Sequence, residues 1–445
     1  GVLGIVTAAD LRRDGVSEIS CVARPAVRAG TAYREHLQPL LAGDIARYVG
    51  EGIAFVVAET LAQAKDAAEL IDVTYAPLAA IIGCDRAVGP DAPLVWADAA
   101  RNICFEWERG DRDAVAAVFA AAAHRVTLRV VNNRIVQNAI ETRGAIGLWE
   151  AAACKFTLHT VGQMPNPLQL QIAEGLFRVS PSQVRVLVGD VGGGFGGKNS
   201  LYAEQGLVLY AARKFGRPVK WIGERSDAFV SDFHGRDNVT VGELALDAQG
   251  QFLGLRVATL ADLGAYVASR GPISPVSGTV MLSNTYRIPA LYAEFKAVYS
   301  HTVPTDPYRG AGRPEVLYLV ERLVDAAARQ LGIDPVELRR RNCIPPEAFP
   351  YASPTGLSYD EADFPRIIDT ALQAADWSGF DRRRQEAARR GRLLGRGISN
   401  YIERCGGGAG LGETARLRFE ADGMVTVLIG SMANGQGHAT AYSQV

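Results

Sequence analysis

A glycine-rich segment, Gly189-Asp-Val-Gly-Gly-Gly-Phe-Gly-Gly-Lys198, constrains the fold of this chain more than any other feature. The apolar run Val184–Val188 before it predicts a β-strand, and the residues from Asn199 to Lys214 predict a helix. Glycine lets the backbone approach another group closely, and a helix N-terminus favours negative charge. The sequence therefore predicts a strand–loop–helix unit whose loop is pressed against an anion or against another segment.

Three interpretations of this loop remain open at the level of the sequence. Gly192, Gly194 and Gly197 match the GxGxxG fingerprint of dinucleotide-binding folds, but no clean acidic residue follows about 20 positions later. Gly192, Gly197 and Lys198 nearly match a phosphate-binding P-loop, yet Asn199 stands where that loop needs Ser or Thr to hold Mg²⁺. The third interpretation is a glycine turn that only packs tightly.

Composition excludes several classes of protein. The net charge of −1 gives no attraction to nucleic acid or to an anionic membrane, and the apolar run Ala114–Ala123 is shorter than the ~20 residues a membrane-spanning helix needs. We expect no signal peptide before the first element. The cysteines form no CxxC pair, which argues against zinc or iron–sulfur ligation by this chain. We expect a cytoplasmic protein whose cysteines, including Cys405, are mostly buried.

The pattern of elements predicts an α+β protein of several domains. We expect a partial α/β domain over 1–90, a linker over 91–125, a first large domain over 126–390 and the start of a second over 391–445. Because the chain opens directly in a strand-like run and stops just after a second glycine-rich loop, both ends are expected to be cuts within a longer protein.

Individual strands and helices are predicted within these domains. The strands are expected at 52–58, 71–75, 125–131, 155–161, 218–222, 416–419 and 425–429. Helices are expected after an N-cap at Thr60, over 167–178, from Pro314 with an apolar face that includes Leu319 and Leu323, and over 366–392. Asp334 and Pro335 predict a further helix start, with Asp as the N-cap and Pro at the first helical position.

Four motifs in a fixed order give the chain a family resemblance. They are Gln163 in HTVGQMPNP, the loop GGGFGGK, the segment Tyr308-Arg-Gly-Ala-Gly-Arg313, and Gly435-Gln436-Gly437-His438. Together with the segments beginning at Gly50 and Ala67, they resemble the molybdenum-pterin-binding large subunits of xanthine dehydrogenases, aldehyde oxidases and aerobic carbon monoxide dehydrogenases. The resemblance implies an aldehyde oxidase/xanthine dehydrogenase-type hammerhead domain followed by molybdopterin-binding domains.

The resemblance also implies cofactors, partners and a reaction. The cofactor would be a molybdenum pterin, in the cytosine dinucleotide form, and iron–sulfur clusters and FAD would lie on a small and a medium partner subunit in a dimer of heterotrimers. The family hydroxylates an electrophilic carbon with oxygen from water, and its general base is a glutamate that we expect beyond Val445. No catalytic base is therefore assigned within this chain. The alternative is a scaffold that binds cofactor without turnover.

The implied roles of individual residues follow motif by motif. Gln163 would hydrogen-bond an oxygen ligand of the metal, Phe195 would pack beside the metal, and Gly194 and Gly196 would allow close backbone approach. Arg309 would lie beneath the metal centre. Residues 435–438 (Gly435, Gln436, Gly437 and His438) would form a loop for the cofactor phosphates. No side chain of this chain is expected to ligate the metal directly, and Glu141 and Arg143 are interpreted as structural.

Four positions are expected to line the substrate pocket: Asn199, Tyr308, Gly310 and Ala311. Copper-containing carbon monoxide dehydrogenases carry a cysteine where this chain has Gly310, although the YRGAGR form resembles the group called form II of that enzyme. Purine-oxidising members carry an aromatic residue in place of Ala311 and a glutamate in place of Asn199, whose amide cannot become anionic. The sequence therefore favours an aldehyde or N-heteroaromatic substrate over xanthine, with carbon monoxide as the alternative.

Overall fold

The computed structural model describes residues 1–403 and 414–445, and it contains both helices and sheets in the α+β arrangement expected from the sequence. The strands are β1 (Val2–Thr7), β2 (Ala54–Ala58), β3 (Ile103–Gly110), β4 (His124–Asn132), β5 (Gly144–Glu150), β6 (Lys155–Thr160), β7 (Val184–Leu187), β8 (Val219–Ile222), β9 (Asn238–Leu246), β10 (Phe252–Gly264), β11 (Ala290–Tyr299), β12 (Tyr351–Ala352), β13 (Ser358–Tyr359), β14 (Ala415–Phe419) and β15 (Val425–Ile429). The α-helices are α1 (Ala8–Arg13), α2 (Leu61–Glu69), α3 (Cys84–Ala87), α4 (Arg112–Ala121), α5 (Pro165–Leu170), α6 (Ala203–Phe215), α7 (Arg225–Ser231), α8 (Ile273–Ser277), α9 (Arg313–Leu331), α10 (Pro335–Asn342), α11 (Phe364–Ala374), α12 (Phe380–Arg389) and α13 (His438–Gln444).

The N-terminal region is a small α/β unit. Strands β1 and β2 pair antiparallel, and the Thr60 side chain accepts the Gln63 N–H at 3.3 Å, which confirms the predicted N-cap of α2. The strand predicted over 71–75 is wrong. In the described parts of the chain β2 pairs only with β1, and a strand requires a hydrogen-bonded neighbour. The Tyr75 side chain of this run is instead exposed, at 62%.

A five-stranded sheet forms the larger core. Its order is β3-β11-β10-β9-β4, with β10 and β11 parallel and the other neighbours antiparallel. Helix α9 packs on this sheet so closely that a Cβ on Gly242 of β9 would lie 2.8 Å from methyl groups of Leu319 and Leu323. The expectation that 91–125 is a linker is wrong, because β3 joins the sheet beside β11 and buries Phe105 and Trp107 in its core.

A four-stranded sheet, β7-β6-β5-β8, forms the second core. Only β6 and β7 run parallel, and β5 is antiparallel to both of its neighbours. Helix α6 crosses β5 at a glycine, since a Cβ on Gly147 would lie 2.5 Å from the Val208 carbonyl. This sheet places the end of β6, which leads to Gln163, next to the end of β7, which leads to the glycine loop.

The predicted helices are found with changed boundaries. The one expected over 167–178 is α5 followed by a π-helical turn, Gln171–Phe177, and it ends at Arg178 in the left-handed conformation. Helix α9 has the predicted apolar face, and Asp334 caps α10 by accepting N–H groups at 2.9 and 3.1 Å. The helix expected over 366–392 is divided into α11 and α12 by a 3-10 turn, Trp377–Gly379.

Two further expectations concern the C-terminal hairpin and the cysteines. Strands β14 and β15 lie where the sequence predicts them and pair antiparallel. Of the described cysteines, all but Cys154 are buried and none forms a disulfide, whereas Cys405 lies outside the described residues. Within 1–403 and 414–445, no helix combines the length and apolar character needed to cross a membrane.

Candidate functional site

The glycine loop leaves the end of β7 and does not run directly into a helix. Helix α6 begins at Ala203, four residues later than the sequence suggested, after Tyr202 in an extended conformation. The first turn of α6 is itself buried, and its Glu204 forms an ion pair with Arg143. An internal salt bridge therefore occupies this end of the helix, and the glycine loop does not lead directly into a helix N-terminus.

Gln163 lies directly against the glycine loop. Its side-chain Oε1 accepts the N–H groups of Gly196 at 2.9 Å and Lys198 at 3.3 Å, and its own N–H donates to the Lys198 carbonyl at 2.9 Å. A Cβ on Gly194 would lie 2.2 Å from the Gln163 carboxamide carbon, so only glycine fits there. Because Oε1 is held by the loop, the amide NH₂ of Gln163 is directed away from these two donors.

The segment around Arg309 closes the loop from another side. The Arg309 N–H donates to the Phe195 carbonyl at 2.9 Å. Gly196 has a φ of +96°, and a Cβ there would lie 2.3 Å from the Pro307 carbonyl oxygen. The loop thus contacts both Gln163 and Arg309, although more than 100 residues separate Phe195 from Arg309 in the sequence.

The Tyr308–Ala311 turn is fixed by neighbouring side chains. Arg236 donates to the Arg309 carbonyl at 2.9 Å and to Glu315 at 2.6 Å, and its guanidinium lies 4.9 Å from the centre of the Tyr308 ring. Ala311 has a φ of +43°, and its carbonyl accepts the Ser277 hydroxyl at 2.6 Å. A Cβ on Gly310 would lie 2.5 Å from the Pro314 ring. The Pro314 ring therefore leaves no space for a side chain at position 310.

A buried carboxyl group, Asp306, lies beneath the same turn. It is 3% exposed, accepts the Ser200 hydroxyl, and accepts the Arg270 N–H at 2.9 Å. Burial raises the pKa of Asp306 from its usual value to about 7, although the hydrogen bonds from Ser200 and Arg270 oppose that rise. A cavity of about 10 Å³ adjoins it, lined in part by Tyr308, which is room for roughly one water molecule.

The structure decides between the three interpretations of the loop. Lys198 is not available for a phosphate, because its side chain is 4% exposed and its ammonium is bound to Glu141 at 2.9 Å. The P-loop interpretation is therefore wrong. The dinucleotide interpretation is also wrong, because those folds have a mostly parallel sheet and this sheet is mostly antiparallel. Close packing explains the glycines at Gly194 and Gly196.

The site has the donors that an oxygen-rich, anionic group requires. In the described part of the chain, no acceptor is found for the N–H groups of Gly193, Gly194 and Phe195 or for the Gln163 amide NH₂. Phe195, with a φ of +53°, is 41% exposed beside them. The residues present thus fit an oxo-metal pterin group. Within 1–403 and 414–445, no three His, Cys, Asp or Glu side chains are placed to ligate a metal.

Asn199 lies at the glycine loop, as a pocket residue should, whereas residues 435–438 form no contact with that loop. Asn199 is half-buried at the end of the loop, where its N–H donates to the Gly196 carbonyl at 3.2 Å. The hydrogen bonds described for 434–438, by contrast, are local: the Gln436 amide contacts the Met432 carbonyl at 2.9 Å and the His438 ring at 2.8 Å. The structure does not bring residues 435–438 to the glycine loop through any contact described.

The sequence analysis assigns no role in the site to three polar residues that lie near the loop. Glu141 and Asp306 contact the loop and the segment after it, as described above. Gln137 is 8% exposed, and neither end of its amide has a partner among the described residues, while its side chain lies about 3 Å from the Cβ position of Gly197. Gln137 and Glu141 belong to none of the four motifs, and Asp306 lies two residues before Tyr308 with nothing in the sequence to show that it is buried there.

A small α/β unit, a glycine loop that binds Gln163, and an arginine turn closing over Phe195 define a large subunit of the molybdopterin-dependent oxidoreductase class. Sequence comparison agrees. The profile of the aldehyde oxidase and xanthine dehydrogenase a/b hammerhead domain matches residues 1–79, and two profiles described as molybdopterin cofactor-binding domains match residues 95–343 and 370–445. The chain belongs to this molybdenum hydroxylase family, as its motifs suggest.

Individual relatives include enzymes with different substrates. The chain is 32% identical to the carbon monoxide dehydrogenase large chain of Hydrogenophaga pseudoflava, over 92% of this chain and 55% of that protein. It is 30% identical to the nicotine 6-hydroxylase large subunit of Paenarthrobacter nicotinovorans, over 92% and 51%. The crystal structure of quinoline 2-oxidoreductase from Pseudomonas putida 86 superposes with a TM-score of 0.88 at 31% identity, covering 100% of this chain and 57% of that one. The chain thus spans about half the length of the relatives it matches.

Proposed function

We propose that this chain is the molybdopterin-binding part of a hydroxylase that oxidises an aldehyde or an N-heteroaromatic substrate. The observation that carries the proposal is the convergence of three distant segments, at Gln163, Phe195 and Arg309, on one surface with free N–H donors. Relatives that include nicotine 6-hydroxylase and quinoline 2-oxidoreductase support the substrate class. When bound, the molybdenum pterin supplies a Lewis-acidic, two-electron redox centre.

The residues of this chain would bind and position that group. Gln163, held through its Oε1, would present its NH₂ as a donor to an oxygen atom of the bound group. The exposed Phe195 ring forms an apolar wall, and Gly194 and Gly196 let the loop lie flat against its neighbours. Arg309 would contribute its main chain to this site, where its N–H holds the Phe195 carbonyl. The 435–438 segment would hold the cofactor phosphates, and the general base is expected from outside these 445 residues.

The pocket residues support this choice of substrate. A copper-bound thiolate next to Arg309 requires a cysteine at position 310, and the Gly310 backbone leaves no room for its Cβ. Ala311 offers no ring to stack on a purine, and Asn199 offers no anion to pair with one. These features disfavour both copper-dependent carbon monoxide oxidation and xanthine oxidation. The form II-like carbon monoxide dehydrogenase remains the second candidate, since two carbon monoxide dehydrogenase large chains are among the relatives.

The partner subunits, the form of the pterin and the cellular location are part of the same proposal. Relatives of this chain are named as large chains or subunits, which supports partner subunits that carry the electrons away. We propose an iron–sulfur small subunit and an FAD-binding medium subunit in a dimer of heterotrimers, a cytosine dinucleotide form of the pterin, and a cytoplasmic location.

The test is to purify the full-length subunit with its partners and to measure molybdenum, pterin nucleotide and dye reduction. Benzaldehyde, quinoline, nicotine, xanthine and carbon monoxide would be compared at equal concentration. We expect stoichiometric molybdenum and turnover with an aldehyde or a heteroaromatic compound. Turnover of carbon monoxide alone would favour the second candidate. Full molybdenum without turnover of any substrate would favour the scaffold interpretation.

A further inference from the structure

The carboxylate of Glu141 joins the two ends of the glycine loop. Its Oε2 accepts the Gly192 N–H at 2.7 Å and the Lys198 ammonium at 2.9 Å, and the Glu141 N–H donates to the Gly192 carbonyl at 3.2 Å. Lys198 is buried, whereas the Glu141 side chain is 36% exposed. One oxygen atom therefore holds the beginning and the end of the segment that contains Phe195.

The segment that carries Glu141 is itself firmly held. Arg225 donates to the Asn138 side chain at 2.7 Å and to the carbonyls of Ala139 and Ile140 at 2.6 and 2.7 Å. Two residues after Glu141, the buried Arg143 donates to side chains of α6 and of the α7 end. Both flanks of Glu141 are therefore held by contacts outside the glycine loop, which fixes the backbone that carries its carboxylate.

The arrangement explains how the loop keeps its shape. A phosphate-binding loop closes around an external anion, whereas here a side chain of the same chain provides the anion for Lys198 and for a loop N–H. Phe195 lies midway between the two clamped ends in a left-handed conformation, with a φ of +53°. A non-glycine residue keeps such a strained conformation only where contacts with the surrounding structure hold it there.

We propose that Glu141 is a positioning residue, an internal anion that clamps the glycine loop so that Phe195 and Gln163 face the pterin site in one geometry. This inference rests on the proposed function for its catalytic consequence, but its structural consequence can be measured on the protein without cofactor. The clamp acts on Gly192 and Lys198, and its effect is transmitted to Gly196 through the loop.

The first experiment measures amide hydrogen exchange of the loop in cofactor-free, full-length subunit. The variants are Glu141→Ala, Glu141→Gln and the control Glu243→Gln, which removes a carboxylate of similar exposure from an ion pair with Arg256. Glu141→Ala is expected to speed amide exchange at Gly192, Gly196 and Lys198 about tenfold or more. This factor corresponds to the free energy lost with one charge-assisted hydrogen bond. Glu141→Gln should give a smaller increase, because its neutral amide oxygen can still accept a hydrogen bond. An increase confined to Gly192, which loses its own acceptor, would overturn the proposal.

The second experiment uses the holoenzyme with its partner subunits. Glu141→Gln should leave molybdenum and pterin content unchanged, lower kcat about tenfold with KM altered less than about threefold, and change the Mo(V) electron paramagnetic resonance signal. Glu243→Gln should match the wild type in each. If Glu141→Gln leaves both kcat and the Mo(V) signal unchanged, the proposal is overturned. It is also overturned if lower thermal stability of the variant accounts for the whole loss of kcat. Absence of molybdenum from the wild type would instead refute the proposed function and leave the exchange result to stand.

Discussion

Replacing Gly196 by alanine tests the packing that creates the site. A φ of +96° is a conformation that an L-residue occupies at a cost on the order of 1–2 kcal/mol. The new Cβ would also lie 2.3 Å from the Pro307 carbonyl oxygen, which is far closer than van der Waals contact allows. A backbone atom cannot rotate away, so the two segments must separate, which costs a further ~1–3 kcal/mol. We expect the free energy of unfolding to fall by about 2–5 kcal/mol.

The same loop supplies a matched control. Gly189 has no atom within 4 Å of its Cβ position and no positive φ, so Gly189→Ala should change the free energy of unfolding by less than ~1 kcal/mol. Both variants would be compared with the wild type by urea denaturation of the full-length subunit, with cofactor content and kcat measured in parallel. If Gly196→Ala unfolds within ~1 kcal/mol of Gly189→Ala and retains full activity, the close approach between the loop and the Arg309 turn does not exist in solution.

The same geometry leads to three further predictions. Metal analysis of the purified complex should find molybdenum without stoichiometric copper, because Gly310 provides no sulfur and no room for one; copper in equal amount would contradict this. Asp306 has a pKa of about 7, raised by burial, so the stability it contributes is present at low pH and is lost as pH rises through 7. The free energy of unfolding of Asp306→Asn, measured relative to the wild type, should therefore increase as pH is raised from 4 to 8. The increase is at most about 4 kcal/mol, at ~1.4 kcal/mol per pKa unit. A difference in urea denaturation that does not change with pH would refute this prediction. Arg143→Met, which leaves the buried Glu204 and the partly buried Asp232 unpaired, should lower the free energy of unfolding by about 3–5 kcal/mol. The exposed Arg256→Met should lower it by less than ~1 kcal/mol.

The parts of the fold that the sequence predicts are those with local signals. Helix α9 carries its apolar face in its own periodicity, and Asp334 followed by Pro335 marks the start of α10. Strand β3 has no such signal, because its stability comes from β11, about 190 residues later in the chain. The opposite error occurs over 71–75, where strand-like composition has no neighbour to pair with in the described residues.

The residues of the site also divide into those that the sequence could identify and those that only the structure shows. Gln163, Phe195 and Arg309 could be grouped only through the family resemblance, because spacing along the chain says nothing about contact across two sheets. From the sequence Glu141 is interpreted only as structural, since an acidic residue between two strands is ordinary and its partner Lys198 belongs to a motif that suggests phosphate binding. Their significance lies in three-dimensional proximity, which single-sequence periodicity does not encode.

The pairing of β3 with β11 also sets the timing of assembly during protein synthesis. Ile103 meets Val298 and Gly110 meets Tyr292, so the edge of the large sheet stays open until about 190 further residues have been translated. At about 5–20 residues per second, this interval lasts roughly 10–40 s. Throughout it, Trp107 lacks its ring partner Phe295, because that residue belongs to β11. The nascent chain therefore leaves the β11-facing edge of β3 unpaired until β11 emerges from the ribosome.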